Sequence, residues 1–151
     1  MDISIELLKK LRLETSAGIA DCRKALEDAK GEYEQAKKLI VERGLEKASK
    51  KEGKETSQGV VASYAHQGKV GVLLELRCET DFVARTDEFQ NLAHELTLQI
   101  ASMNPETVEE LLKEAYIRDA KIVISDLIKQ TVAKVGENIT VARFVRVQMG
   151  E

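Results

Sequence analysis

Tryptophan is absent from this sequence, proline occurs once and cysteine twice, and each scarcity removes a class of explanation. Cys22 and Cys78 lie far apart with no nearby Cys or His to complete a ligand set. The pattern therefore offers neither a disulfide framework nor a zinc site, and both side chains read as reduced thiols. No run approaches the roughly 20 apolar residues of a membrane helix. Met1 to Glu14 carries charges at helical spacing in place of the apolar core of a signal peptide. A cytoplasmic protein without membrane contact is the expectation. Neither G-x-x-x-x-G-K-[ST] nor G-x-G-x-x-G occurs, so the chain is expected to hold no nucleotide or other cofactor itself. The formal net charge is only -3, with the two signs interleaved, so no broad field draws the chain onto nucleic acid.

What is present is a globular composition, 43% hydrophobic and 32% charged over 151 residues. That length suits one domain, or a small module joined to a core, and excludes a large multidomain enzyme. Ile5, Leu8 and Leu11 form a helical stripe that ends at Thr15-Ser16-Ala17-Gly18. A second helix is predicted from Ile19 to Ala29, closed by Gly31, and a third from Glu32 to Arg43, stopping before Gly44. Residues 1–45 thus read as a three-helix module, and 46–58 as a charged linker. Lys47, Lys50, Lys51 and Lys54 in that linker are offset by Glu46, Glu52 and Glu55, which argues against direct nucleic-acid binding.

From residue 59 to 151 the pattern changes. Val60 to His66, a Gln67-Gly68 turn and Val70 to Cys78 read as a β-hairpin with Val70, Val72, Leu74 and Leu76 on one face. Thr86 caps a helix with the stripe Phe89, Leu92, Ala93, Leu96 and Ile100. Asn104-Pro105 begins further helical signal through Leu111, Leu112 and Ala115 and on through Ile124, Ile128 and Val132 to Gly136. Ile139 to Gln148 alternates as a third strand. The predicted class is α+β, with the helical module followed by a small three-stranded antiparallel sheet, β-β-α-α-β, packed on helices. The second face of that sheet is expected to show Leu73 and Phe144 and to invite a second copy of the chain or a partner.

Catalytic chemistry is hard to find. Glu79 and Asp81 are a carboxylate pair with no second catalytic element, His66 and His94 stand alone, and no nucleophile, base and orienter come together. An interaction protein is favoured over an enzyme. Phe82, in "CETDFVAR", then has two readings: a core ring closing the sheet end, or an exposed anchor for a partner.

Three stretches, "LRLETSAGIADCRKALEDAKGEYEQAKKLIVERG", "GKVGVLLELRCETDFVARTDEFQNLAHEL" and "VGENITVARFVRV", together resemble the elongation factor Ts family, the guanine-nucleotide exchange factors of elongation factor Tu. The resemblance implies that the first module is ubiquitin-associated-like, and that Asp81 and Phe82, flanked by Thr80 and Val83, project from the core. The ring would wedge into the GTPase near the phosphates and magnesium, promoting GDP release and GTP reloading. It also implies a second contact through Ile19, Arg23 and Lys24. The rival reading is a ubiquitin-associated-like adapter without exchange activity. Two departures stand out: Thr15-Ser16-Ala17-Gly18 replaces the family's usual Thr-Gly-Ala-Gly turn, and the segment after Pro105 is short. A single core of this kind would supply a second by homodimerising through its open sheet face.

Overall fold

Three helices open the chain because apolar residues recur at helical spacing and each turn has a stop signal. The computed structural model describes residues 2–151. In it α1 spans Ile5–Thr15, α2 Ile19–Asp28 and α3 Tyr33–Lys51. Ser4 caps α1, and its side chain accepts from the Leu7 N–H. Ser16 closes it in the left-handed conformation, φ 59°, with its N–H donating to the Arg12 carbonyl at 2.9 Å. Leu8, Leu11, Cys22, Ala25, Leu26, Ala29 and Ala36 then pack into a core of their own.

The third helix does not stop before Gly44. It runs on to Lys51, so the first part of the 46–58 stretch is helical. Tertiary packing overrides the glycine's weak propensity: a Cβ added to Gly44 would lie 3.4 Å from that of Ala133 on a helix of the second core. With 19 residues, α3 is roughly 28 Å long. Ala36 belongs to the first core and Ala48 to the second, so one rod carries both.

The remainder follows in the order β1 Gln58–His66, β2 Val70–Cys78, α4 Asp81–Ala84, α5 Asp87–Met103, α6 Val108–Lys113, β3 Ala115–Tyr116, β4 Asp119–Val123, α7 Ile124–Val135 and β5 Ile139–Gln148. Strands β1, β2 and β5 form a three-stranded antiparallel sheet in that order. The β1–β2 turn places Gln67 and Gly68 at positive φ, as primed hairpin turns require. Val72, Leu74, Leu76 and Cys78 face inward and are buried with Phe89, Leu92, Ala93, Leu96 and Ile100 of α5. Here the spacing reads directly as structure.

Two further expectations are corrected. Phe144 was expected on the open face, but it is half-buried and packs against the core. The cause is a register shift opposite Glu75/Leu76: Leu76 pairs Val141 while Leu74 pairs Phe144, so the face that points inward changes partway along β5. The open face is instead carried by Val61, Leu73, Val145 and Val147, all exposed. The second correction concerns the helical signal after Leu112. It is interrupted by the β3–β4 hairpin, which the buried Gln99 holds by donating to the Ala115 carbonyl at 3.0 Å and accepting from the Ile117 N–H at 2.9 Å. A buried amide with both ends used selects a strand where periodicity alone suggests a helix.

Two substitutions test these contacts. Ser16→Gly removes a left-handed penalty of about 1–2 kcal/mol and adds back part of it as unfolded-state entropy. It is expected to raise Tm by about 1–4 °C in a thermal melt. Gly44→Leu overfills the α3–α7 contact and is expected to destabilise by about 1–3 kcal/mol in denaturant unfolding.

Candidate functional site

The chain leaves the sheet at Cys78, which is fully buried, and re-enters the core at Phe89, also fully buried. Between them it makes a protruding tip. Thr80 caps α4, its hydroxyl accepting from the Val83 N–H at 3.3 Å. Val83 and Ala84 turn inward and are buried, whereas Phe82 points outward with 77% of its surface exposed. Of the two readings of this ring, the core one is excluded. Thr86 ends the tip by donating its hydroxyl to the Val83 carbonyl at 2.7 Å and capping α5 at the Phe89 N–H.

The two acids beside the ring diverge. Asp81 is exposed and pairs with Arg85 at 2.9 Å, while Glu79 accepts from the Asn138 backbone N–H at 2.7 Å. They do not form an acid–base pair over a common site. Sequence reading missed Glu137 and Asn138, which face the tip from the loop after α7. The signal was present in the strand register: Cys78 pairs with Ile139, so residues just before Ile139 must lie beside those just after Cys78.

Cys78 adds a further contact, its Sγ lying 3.1 Å from the Thr80 carbonyl. Burial first, and the nearby Glu137 carboxylate second, push this thiol above its ordinary pKa. Burial does the same to Cys22, and both cysteines are free. Such thiols are poor nucleophiles.

A second group of predicted residues lies on α2. Ile19 is 52% exposed, and Arg23 and Lys24 are exposed beside it. Together with Ala20, Glu27 and Asp28 they line a shallow depression. An apolar side chain next to two cations makes a surface suited to an apolar and acidic partner. The structure does not bring this face into contact with Phe82.

Elsewhere several polar side chains pair with one another. An open cleft of about 520 Å³ between the α1–α2 turn, α3 and α7 is lined by residues of both signs, among them Lys24, Lys50, Lys134 and Glu46. Lys47 pairs with Asp21 at 3.0 Å and Lys37 with Glu14 at 3.3 Å along it. Tyr64 bonds His66 Nδ1 at 2.7 Å and meets His94 edge-on, and both histidines are exposed. Among the described residues no group of three or more His, Cys, Asp or Glu side chains is placed to hold a metal, and no helix is long and apolar enough to cross a membrane.

Comparison with known proteins finds similarity to one family along the chain. The family model described as Elongation factor TS matches residues 79–151, beginning at the tip itself. The chain is 40% identical to elongation factor Ts of Fervidobacterium nodosum and 43% identical to that of Coprothermobacter proteolyticus, in each case over all of both chains. It is 39% identical to elongation factor Ts of Methylacidiphilum infernorum, over 99% of this chain and 96% of that one. The first two alignments run over 197 positions, more than the 151 residues available here, so those relatives carry residues that have no counterpart in this chain.

Exposure of the ring predicts how the fold responds to its loss. Phe82→Ala is expected to change unfolding free energy by no more than about 0.5 kcal/mol, since no core contact goes with it. Phe89→Ala, at a fully buried position, is expected to cost about 3–5 kcal/mol in the same denaturant titration.

Proposed function

The chain belongs to the elongation factor Ts family and is a translation elongation factor; from that premise we propose that it binds elongation factor Tu and promotes GDP release and GTP reloading by wedging Phe82 near the phosphate and magnesium site. The observation that carries this reading is the ring itself, 77% exposed on a tip whose neighbours are anchored in the core. An apolar ring held in water is a liability unless a pocket receives it. Its burial in a partner supplies about 2–3 kcal/mol, enough to shift an equilibrium roughly 30- to 150-fold.

Linkage sets the direction. A factor that weakens GDP binding must itself be bound less tightly by the GDP form than by the empty form, and by the same factor. The wedge therefore stabilises a minor, nucleotide-free state. Such a role needs no catalytic base, so the protein acts as an exchange factor and not as an enzyme. Asp81 enters the contact with the ring, Thr80 and Val83 shape its base, and Ile19, Arg23 and Lys24 form the second contact from α2. On this reading residues 1–45 and 59–151 are two contact-bearing domains joined through 46–58, working in the cytoplasm. The partner is a protein, and no direct nucleic-acid or membrane contact is involved. The adapter alternative is disfavoured, since similarity extends through the core as well as the helical module. A homodimer through the core sheet is part of the same proposal: Val61, Leu73, Val145 and Val147 give that face its apolar surface.

Release of a fluorescent GDP analogue from elongation factor Tu, chased with unlabelled GDP, tests the wedge. Wild type is expected to accelerate release, and Phe82→Ala to lose about 30-fold or more of that acceleration while melting normally. No acceleration by wild type at any concentration rejects the exchange reading.

A further inference from the structure

Thr80 is the residue on which the tip turns, and each of its polar atoms is engaged. Its N–H donates to Glu137 Oε1 at 2.9 Å, and its hydroxyl donates to Glu137 Oε2 at 2.7 Å. With the hydroxyl proton committed to the carboxylate, the oxygen lone pair is left for the Val83 N–H, the bond that starts α4. The Thr80 carbonyl accepts from Cys78 Sγ and from the Ala84 N–H at 3.2 Å. The opposite loop is held in return: Glu79 accepts from the Asn138 N–H, and the buried Asn138 side chain donates to the Lys54 carbonyl at 2.8 Å. Each loop thus supplies a carboxylate that takes the other's backbone.

The tip needs such a device. A four-residue helix is too short to stabilise itself, because one turn fixes many dihedrals for a single bond. An exposed ring also gains by folding back onto its own protein. The Asp81–Arg85 pair does not prevent this, since both side chains are exposed at i,i+4 spacing and such pairs contribute little. The Glu137 bonds are of another kind: although Thr80 is exposed, they are charge-assisted and two-pronged, and their loss hands the backbone N–H to water and frees the hydroxyl to rotate.

We propose that Glu137 is a positioning residue for Phe82, holding the ring outward through Thr80, with Glu79–Asn138 as the second strut; the use of that posture in exchange rests on the function proposed above. The arrangement also ties the tip to the helical module. Glu137 follows the C-cap of α7, Gly136 at φ 77°, and the same helix packs its Ala133 beneath Gly44 of α3. One helix therefore sets the positions of both the tip and the rod that carries α2.

The test separates posture from exchange. Fluorinated phenylalanine reports on the three rings of the chain, Phe82, Phe89 and Phe144, as separate fluorine resonances. Glu137→Ala is expected to shift or narrow the Phe82 resonance and leave those of Phe89 and Phe144 in place. In the GDP-release assay it is expected to reduce acceleration about tenfold in the wild-type background but less than about twofold when Phe82 is already alanine, since the two changes act through one group. Glu137→Gln, which keeps one acceptor oxygen, is expected to fall between and serves if the alanine variant does not fold. An unmoved Phe82 resonance overturns the proposal, as does an equal fold-loss in both backgrounds. If wild type fails to accelerate release, the exchange reading falls on its own, and the fluorine spectrum alone decides the clamp.

Discussion

The packing of α5 against the inner face of the sheet is the contact on which the rest depends. Val72, Leu74, Leu76 and Cys78 on one side and Phe89, Leu92, Leu96 and Ile100 on the other are all buried. They belong to the larger of the two hydrophobic cores among the described residues. Because Cys78 ends the strand and Phe89 opens the helix stripe, the residues between them must span a fixed gap. The projecting tip is a consequence of that gap. Its inward residues Val83 and Ala84 plug the end of the layer, and the residue before them, one step round a helical turn, has no inward position left.

That logic explains what could be read in the sequence and what could not. The β1–β2 hairpin was legible because strict alternation and a Gln67-Gly68 turn agree, and α5 because its stripe and the Thr86 cap agree. The left-handed backbone at Ser16 is foreshadowed only by the resemblance, whose usual turn has glycine at that place. Phe144 was misplaced because alternation counts residues and a bulge does not respect the count. The length of α3 was misjudged because Gly44 acts there as a packing surface toward Ala133, a property visible only once α7 is beside it. The hairpin after α6 was hidden for the same kind of reason, since the amide that secures it belongs to Gln99 on another helix. At the tip, local signals alone favour the core reading of Phe82, as for most large apolar rings, and only the resemblance points outward; its exposure depends on what already fills the core beneath it.

Charge in this protein divides into two uses. Most ion pairs, such as Lys47–Asp21 and Arg43–Asp28, join exposed side chains and contribute little to stability. Glu79 and Glu137 are spent on backbone N–H groups of an irregular loop, which no helix or sheet ladder is available to satisfy. A carboxylate is a suitable partner there, because it brings two acceptor oxygens and strengthens the bonds it makes. Glu79 and Glu137 therefore build the shape of the candidate site, and the absence of a catalytic constellation in the sequence and the presence of acids around the tip are compatible.

A wedge differs from a sticky patch in its stiffness. If the ring were loose, ordering it on contact would cost rotamer and backbone freedom, and that cost would be subtracted from the burial energy available to the partner. A loose ring could also settle against the partner's surface without displacing anything, binding its two states equally and shifting no equilibrium. On the proposed roles, a ring held by buried feet and a two-carboxylate clamp would not yield in that way, and its burial energy would go only to a partner conformation that opens to admit it. The packing of α7 on α3, at Ala133 and Gly44, also connects the core that carries the tip to the helix that carries residues of both cores. On the proposed exchange role, differential affinity for two states of a partner would follow from the rigidity of the tip as much as from the apolar character of its side chain.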